Sequence, residues 1–130
     1  MKGKGIYVFF VDSDIIASPH FILEHKKIHE KHKDVVVIGK RLDLIENQYD
    51  INLDMIRNSF FMIENLPHLK DHRDYVTSSS KYQLDEFPYK WTFLQTNNIS
   101  VEKKKILDVG CFDHNFISWS TEDDELGYRL

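Results

Sequence analysis

The sequence predicts an α/β domain built on a mostly parallel sheet with flanking helices, and three stretches carry that expectation. Ile6 to Val11 (IYVFFV) is a β-branched and aromatic run with no polar alternation. That is the pattern of a strand covered on both faces. The residues from Pro19 to Lys31 read as a helix, and Val35 to Ile38 (VVVI) as a second apolar strand stopped by Gly39. Strand, helix and strand in close succession form a βαβ unit, whose two strands run parallel.

Taken in order, the first strand ends in Asp12-Ser13-Asp14. Ligands of open α/β sheets bind at the carboxyl ends of the strands. In an extended segment, carboxylates two residues apart point the same way, which suits one hard cation that takes oxygen ligands. Asp and Ser are also ordinary turn residues, so an acidic turn explains the same three letters. Ser18 and Pro19 are suited to the cap and first turn of the helix. Phe21, Ile22, Leu23 and Ile28 supply its expected apolar face, with Glu24, Lys26, Lys27, Glu30 and Lys31 on the wet side. His25, His29 and His32 share one face at i, i+4 and i+7. A solvated helix face accounts for them better than a zinc site, and His29 to His32 is one residue short of the HExxH spacing.

The middle of the chain is less periodic. Leu53, Ile56, Phe60, Ile63 and Leu66 lie close to helical spacing, so Ile51 to Leu66 reads as a helix ended by Pro67, with Phe60, Phe61 and Met62 in the core. His68 to Pro88 reads as a long polar loop with some helix, in which Asp71 and Arg73 pair at the surface. Tyr89 to Leu94 (YKWTFL) reads as a strand. Ile99-Ser100-Val101 returns to the core, and Val101 to Val109 reads as a short helix closed by Gly110. Thr121 to Glu125 (TEDDE) opens a final helix, with carboxylates against the positive end of its dipole.

Composition narrows the function classes. With 130 residues the chain is one domain at most. Seventeen Lys and Arg against 21 Asp and Glu leave a formal net charge of −4, which is not the basic footprint of a nucleic-acid binder. The single cysteine, Cys111, excludes an internal disulfide and a cysteine zinc cage, and fits a reducing compartment. No apolar run approaches the roughly 18 residues of a membrane span. The expected location is therefore the cytoplasm, or the periphery of a membrane. Cys111 and His114 carry no nucleophile signature.

Two motif-bearing segments together resemble a known family. Asn97 to Leu130, NNISVEKKKILDVGCFDHNFISWSTEDDELGYRL, is similar to the C-terminal portion of nucleotide-sugar glycosyltransferases of the GT-A fold. That portion runs Asn-x-Ser-Val, a helix, Val-Gly-Gly-Phe-Asp, Trp-Gly-x-Glu-Asp, and Glu-x-Gly-x-Arg-Leu. Val8 to Ile22, VFFVDSDIIASPHFI, resembles the same family's Asp-x-Asp strand and following helix, and Gly39-Lys40-Arg41 matches part of the middle. The chain departs from the pattern at Cys111, in place of the second Gly, and at Ser120, in place of the Gly after Trp119.

The resemblance implies roles. Asp14 would bind Mn2+ or Mg2+, with Asp12 against the ribose or the metal's water shell. Asn98 and Ser100 would lie near the donor sugar. Trp119 would form the acceptor platform, Glu122 would bond the acceptor, and Asp123 would be the base of an inverting transfer. The implied partners are a nucleotide-sugar donor and a glycan or other hydroxyl acceptor. The family places more sheet before the Asp-x-Asp strand, so the implied architecture is a partial GT-A (Rossmann-like) fold lacking the N-terminal nucleotide-binding half, and the chain reads as a fragment. Residues 1–40 would hold the Asp-x-Asp strand and the βαβ unit, 41–90 a helix and long loop, and 91–130 the acceptor and catalytic segment. The alternatives are a catalytically inactive remnant, a carbohydrate-binding or interaction module of the same fold, or a subunit completed by another polypeptide.

Overall fold

The computed structural model describes residues 3–45, 49–79, 84–117 and 121–130. Strand β1 (Tyr7–Val11) leads to helix α1 (Phe21–Lys31) and strand β2 (Val36–Ile38). A smaller segment follows: β3 (Asp43–Leu44), α2 (Leu53–Asn58), α3 (Phe60–Glu64), β4 (His68–Leu69) and α4 (His72–Ser79). Two 3-10 turns, Leu84–Glu86 and Lys90–Phe93, precede β5 (Asn98–Glu102), α5 (Lys103–Asp108) and α6 (Glu122–Arg129).

The strand–helix–strand unit forms, but the sheet is not the expected parallel one. Its order is β1-β5-β2, and β5 is antiparallel to both neighbours. Strands β1 and β2 therefore run parallel to each other without being hydrogen-bonded. Helix α1 carries the chain two positions across the sheet, and the slot it leaves is filled by a strand some sixty residues downstream. β3 and β4 make a separate antiparallel pair.

Side-chain alternation explains why the β1 run has no polar face. In register, Phe9 lies opposite Ser100 and Tyr7 opposite Glu102. Phe9 meets Phe21 and His25 of α1, and Tyr7 stacks on His29 with ring centroids 4.3 Å apart. Phe10 points to the opposite face, where its ring meets Phe112 edge-on. Helices thus cover both faces, yet as an edge strand β1 stays only half-buried. The central strand and the two C-terminal helices hold the core: Ile99 and Val101 of β5, Ile106 of α5 and Leu126 of α6 are all fully buried. Burying each such side chain contributes about 1.5–3 kcal/mol.

Several local expectations are corrected. Helix α1 starts at Phe21, not Pro19; His20 precedes it without a side-chain cap, and the Ser18 carbonyl, not its hydroxyl, accepts from the Phe21 amide. Its inward face is His25 and His29, whereas Ile22, Leu23 and Ile28 are exposed. The helix expected over Ile51 to Leu66 is two, broken at Ser59 (φ −141°, ψ 36°) and started by Asn52, whose side chain accepts from the Asp54 and Met55 amides. Phe61 and Met62 are exposed there, and Ile63 is the buried residue. Tyr89 to Leu94 is a 3-10 turn rather than a strand; it buries Phe93 and Leu94 through successive i to i+3 bonds. Asp71 and Arg73 do pair, but inside the protein, with the Arg73 Nε donating to both carboxylate oxygens. Among the described residues no helix is long and apolar enough to cross a membrane.

Candidate functional site

The carboxyl ends of β1 and β2 open onto one cleft of about 1090 Å³. β1 stops at Val11, and Asp12-Ser13-Asp14 forms a turn in which the Ile15 amide reaches back to the Asp12 carbonyl at 3.3 Å. The segment is not extended, so alternation does not align the two carboxylates. Both nevertheless line the cleft and are exposed. Among the described residues neither has a hydrogen-bond or ion-pair partner.

Gly39 and Asn98 build the opposite wall. The Gly39 amide donates to the Asn98 carbonyl at 2.9 Å, and Asn98 Nδ2 donates to the Lys40 carbonyl at 2.9 Å. A Cβ on Gly39 would lie 2.3 Å from Asn98 Oδ1, so any side chain there would displace the Asn98 amide from its place on the wall. Lys40 and Arg41 add positive charge to the wall. Arg41 Nη2 donates to Asp43 Oδ2 at 3.1 Å, and its Nε lies 2.7 Å from Oδ1, close but poorly aligned for a hydrogen bond. Phe60 and Ile63 give the cleft an apolar side.

The second acidic cluster sits elsewhere. Glu122, Asp123, Asp124 and Glu125 fill the first turn of α6. Asp123 is anchored, accepting from the Thr96 amide at 3.0 Å and the Thr96 hydroxyl at 2.8 Å. Asp124 is the member whose pKa is raised from its ordinary value, by burial first and then by Asp123 and Glu122. Neither Glu122 nor Asp123 is among the residues walling the cleft. Trp119, the expected acceptor platform, and Ser120 lie outside the described residues.

The remaining motif residues hold the fold. Glu125 pairs with Arg129, which also donates to the Val109 and Cys111 carbonyls and so ties α6 to the loop after α5. Gly127 lets α6 settle on the 3-10 turn: a Cβ there would lie 2.7 Å from the Trp91 carbonyl oxygen. Gly110 closes α5 at φ +90°, and Cys111 follows at φ +64°, a left-handed conformation that glycine adopts more easily.

Of the residues expected near the donor, the structure brings Asp12, Asp14 and Asn98 to one cleft. Ser100 is not on it. Its side chain is fully buried, with its hydroxyl 2.8 Å from both His25 Nδ1 and His29 Nε2. The i, i+4 spacing of those histidines signalled a shared face, but nothing in the sequence marked that face as the buried one. The bond from Thr96 to Asp123 had no sequence signal at all.

Among the described residues no group of three or more His, Cys, Asp or Glu gathers to hold a metal ion. Two unpartnered carboxylates on a cleft rim still fit a hard cation that completes its shell with water and a ligand's phosphate oxygens.

No protein-family model matches the chain. It is 28% identical over 162 aligned residues to the uncharacterized glycosyltransferase YfnE of Bacillus subtilis, covering 99% of this chain and 40% of that protein. The hyaluronan synthase of Pasteurella multocida is 26% identical, covering 98% of the chain and 14% of its own length. The chondroitin synthase of Escherichia coli is 25% identical, with coverages of 98% and 20%. The chain is thus similar to glycosyltransferases over nearly its whole length, and it spans less than half the length of these glycosyltransferase relatives.

Proposed function

We propose that this chain carries the donor and metal site of a GT-A nucleotide-sugar glycosyltransferase of the inverting, metal-dependent kind. The observation that carries the proposal is the convergence of Asp12, Asp14 and Asn98 on one cleft at the carboxyl ends of two parallel-running strands. Asp14 and Asp12 hold Mn2+ or Mg2+, which when bound neutralises charge on the departing diphosphate. Asn98 borders the sugar, and Lys40 and Arg41 suit an anionic ligand on the same wall. The acceptor oxygen bonds to the anomeric carbon as the bond to the diphosphate oxygen breaks. The acceptor's proton passes to Asp123, with Glu122 and Trp119 orienting the acceptor.

One observation favours a second reading, a non-catalytic module of the same fold. Both Asp123 oxygens already accept from Thr96, and the α6 carboxylates do not wall the cleft. Release of nucleoside diphosphate, measured over a panel of nucleotide sugars and glycan acceptors, separates the two. The enzyme reading expects turnover that falls about 10²–10⁴-fold in Asp123→Asn. Glycan binding with no turnover would support the module, and turnover unchanged by Asp123→Asn would remove that residue from the base role.

A further inference from the structure

The least expected feature of the fold is a polar cluster inside it. His25 and His29, each 4% exposed, project from α1 onto Ser100, which is fully buried in the central strand. One hydroxyl lies 2.8 Å from a nitrogen of each ring. With no open face on Ser100, a nucleophile role for its hydroxyl is excluded. We propose that His25, Ser100 and His29 form an acid-released latch that positions α1 on the sheet and, through β5, the Asn98 wall of the cleft.

Proton counting carries the argument. A serine hydroxyl has one hydrogen to donate and lone pairs to accept with. With both rings neutral, complementary tautomers satisfy everything: the hydroxyl donates to one ring nitrogen and accepts the N–H of the other. Protonating one ring puts a cation inside and forces the other ring into the accepting tautomer; protonating both turns both nitrogens into donors. The hydroxyl then receives two N–H groups and no ring nitrogen is left to accept its own hydrogen, at a serine that is fully buried. An unsatisfied buried group and a buried cation are both costly. The neutral pair is therefore the locked state and the protonated pair the released one.

The surroundings offset the charge only in part. Tyr7 of β1 stacks on His29, while Phe9 of β1 and Phe21 pack on His25. The charged groups facing His29 are Glu102 of β5 and Lys105 of α5, of opposite sign, with Lys33 and Asp34 at the mouth of the adjoining small cavity. His25 faces Asn98, whose side chain favours the charged ring, and His29, which opposes it. Burial, the largest cause for each ring, lowers both pKa values below the ordinary histidine value. The sign follows: the unfolded chain takes up protons first, so this stability is complete above the free-histidine range and is lost as pH falls through it.

The consequence reaches the cleft because Asn98 and Ser100 are two residues apart on β5, on the same side of the strand. Asn98 holds the Lys40 carbonyl, so a shift of β5 against α1 moves the wall that Gly39 and Asn98 share. The latch rests on this geometry alone and holds whether or not the cleft transfers sugar.

NMR titration of the labelled chain from pH 7.5 to 4.5 tests it. The expectation is that two histidine ring signals titrate below a free histidine peptide, and that the Asn98 side-chain amide moves with the same midpoint. Over that range α1 and β5 amides should gain exchange, corrected for intrinsic rate, relative to α6. His29→Phe keeps the ring on Tyr7 and removes one proton site, and should flatten that pH dependence. Rings that titrate like the free peptide, or an Asn98 amide that ignores their titration, would overturn the latch in the wild-type chain even if the variant does not fold.

Discussion

The C-terminal region and the cleft rim are built on opposite plans. From β5 through α6, Ile99, Val101, Ile106 and Leu126 are fully buried, Gly127 presses on a backbone carbonyl, and Arg129 is tied to three partners. At the rim, Asp12 and Asp14 are exposed and unpartnered among the described residues, and the closest approach is to a side chain. Both regions carry motifs of the glycosyltransferase resemblance. The difference teaches that a motif's residues need not share a job. In Glu125 to Leu130 they hold the scaffold, and in Asp12 to Asp14 they are left available to a ligand.

Three substitutions sharpen that contrast. The largest effect is expected from Gly127→Ala, whose new methyl meets the Trp91 carbonyl oxygen at 2.7 Å and Leu94 Cβ at 3.0 Å. Backbone cannot move aside cheaply, so the chain should lose about 1–3 kcal/mol in urea unfolding. A wild-type midpoint would mean that α6 does not pack on the 3-10 turn as described. Gly39→Ala looks alike on paper but meets only the Asn98 side chain, which can swing away. It should cost under about 1 kcal/mol, the net worth of the Asn98–Lys40 hydrogen bond, while disturbing ligand binding in the cleft. A large stability loss with binding intact would reverse the assignment of the two regions. The smallest effect is Cys111→Gly, which relieves a side chain at φ +64°. Relief of the left-handed strain, about 1–2 kcal/mol, less about 0.4–1 kcal/mol for the freer unfolded chain and the lost packing of Cys111 against the core, should leave a small gain in thermal melting; a net loss would mean that packing and chain entropy outweigh strain.

Much of the scaffold was legible. The β1–α1–β2 unit, the Gly110 closure of α5 and the acidic start of α6 all follow from local patterns, because each is decided by neighbours in sequence. The sheet order was not, because β5 joins β1 through pairs such as Val11 with Asn98, far apart in the chain. The face of α1 was misread for a related reason. Its charged flanks and scattered apolar residues mask an inward pair of histidines that only a distant serine makes tolerable. At the site, Asp12, Asp14 and Asn98 were readable as motif letters. That Thr96 holds Asp123, and that the α6 carboxylates lie off the cleft wall, depends on tertiary placement that no spacing encodes.

Calorimetric titration of a nucleoside diphosphate into the chain, with Mn2+ and with chelator, tests the rim most directly. The cleft account predicts saturable heat that requires Mn2+ and is lost in Asp14→Asn, with the unfolding midpoint of that variant unchanged. Binding that survives both chelation and Asp14→Asn, or no binding by the folded wild-type chain, would contradict it.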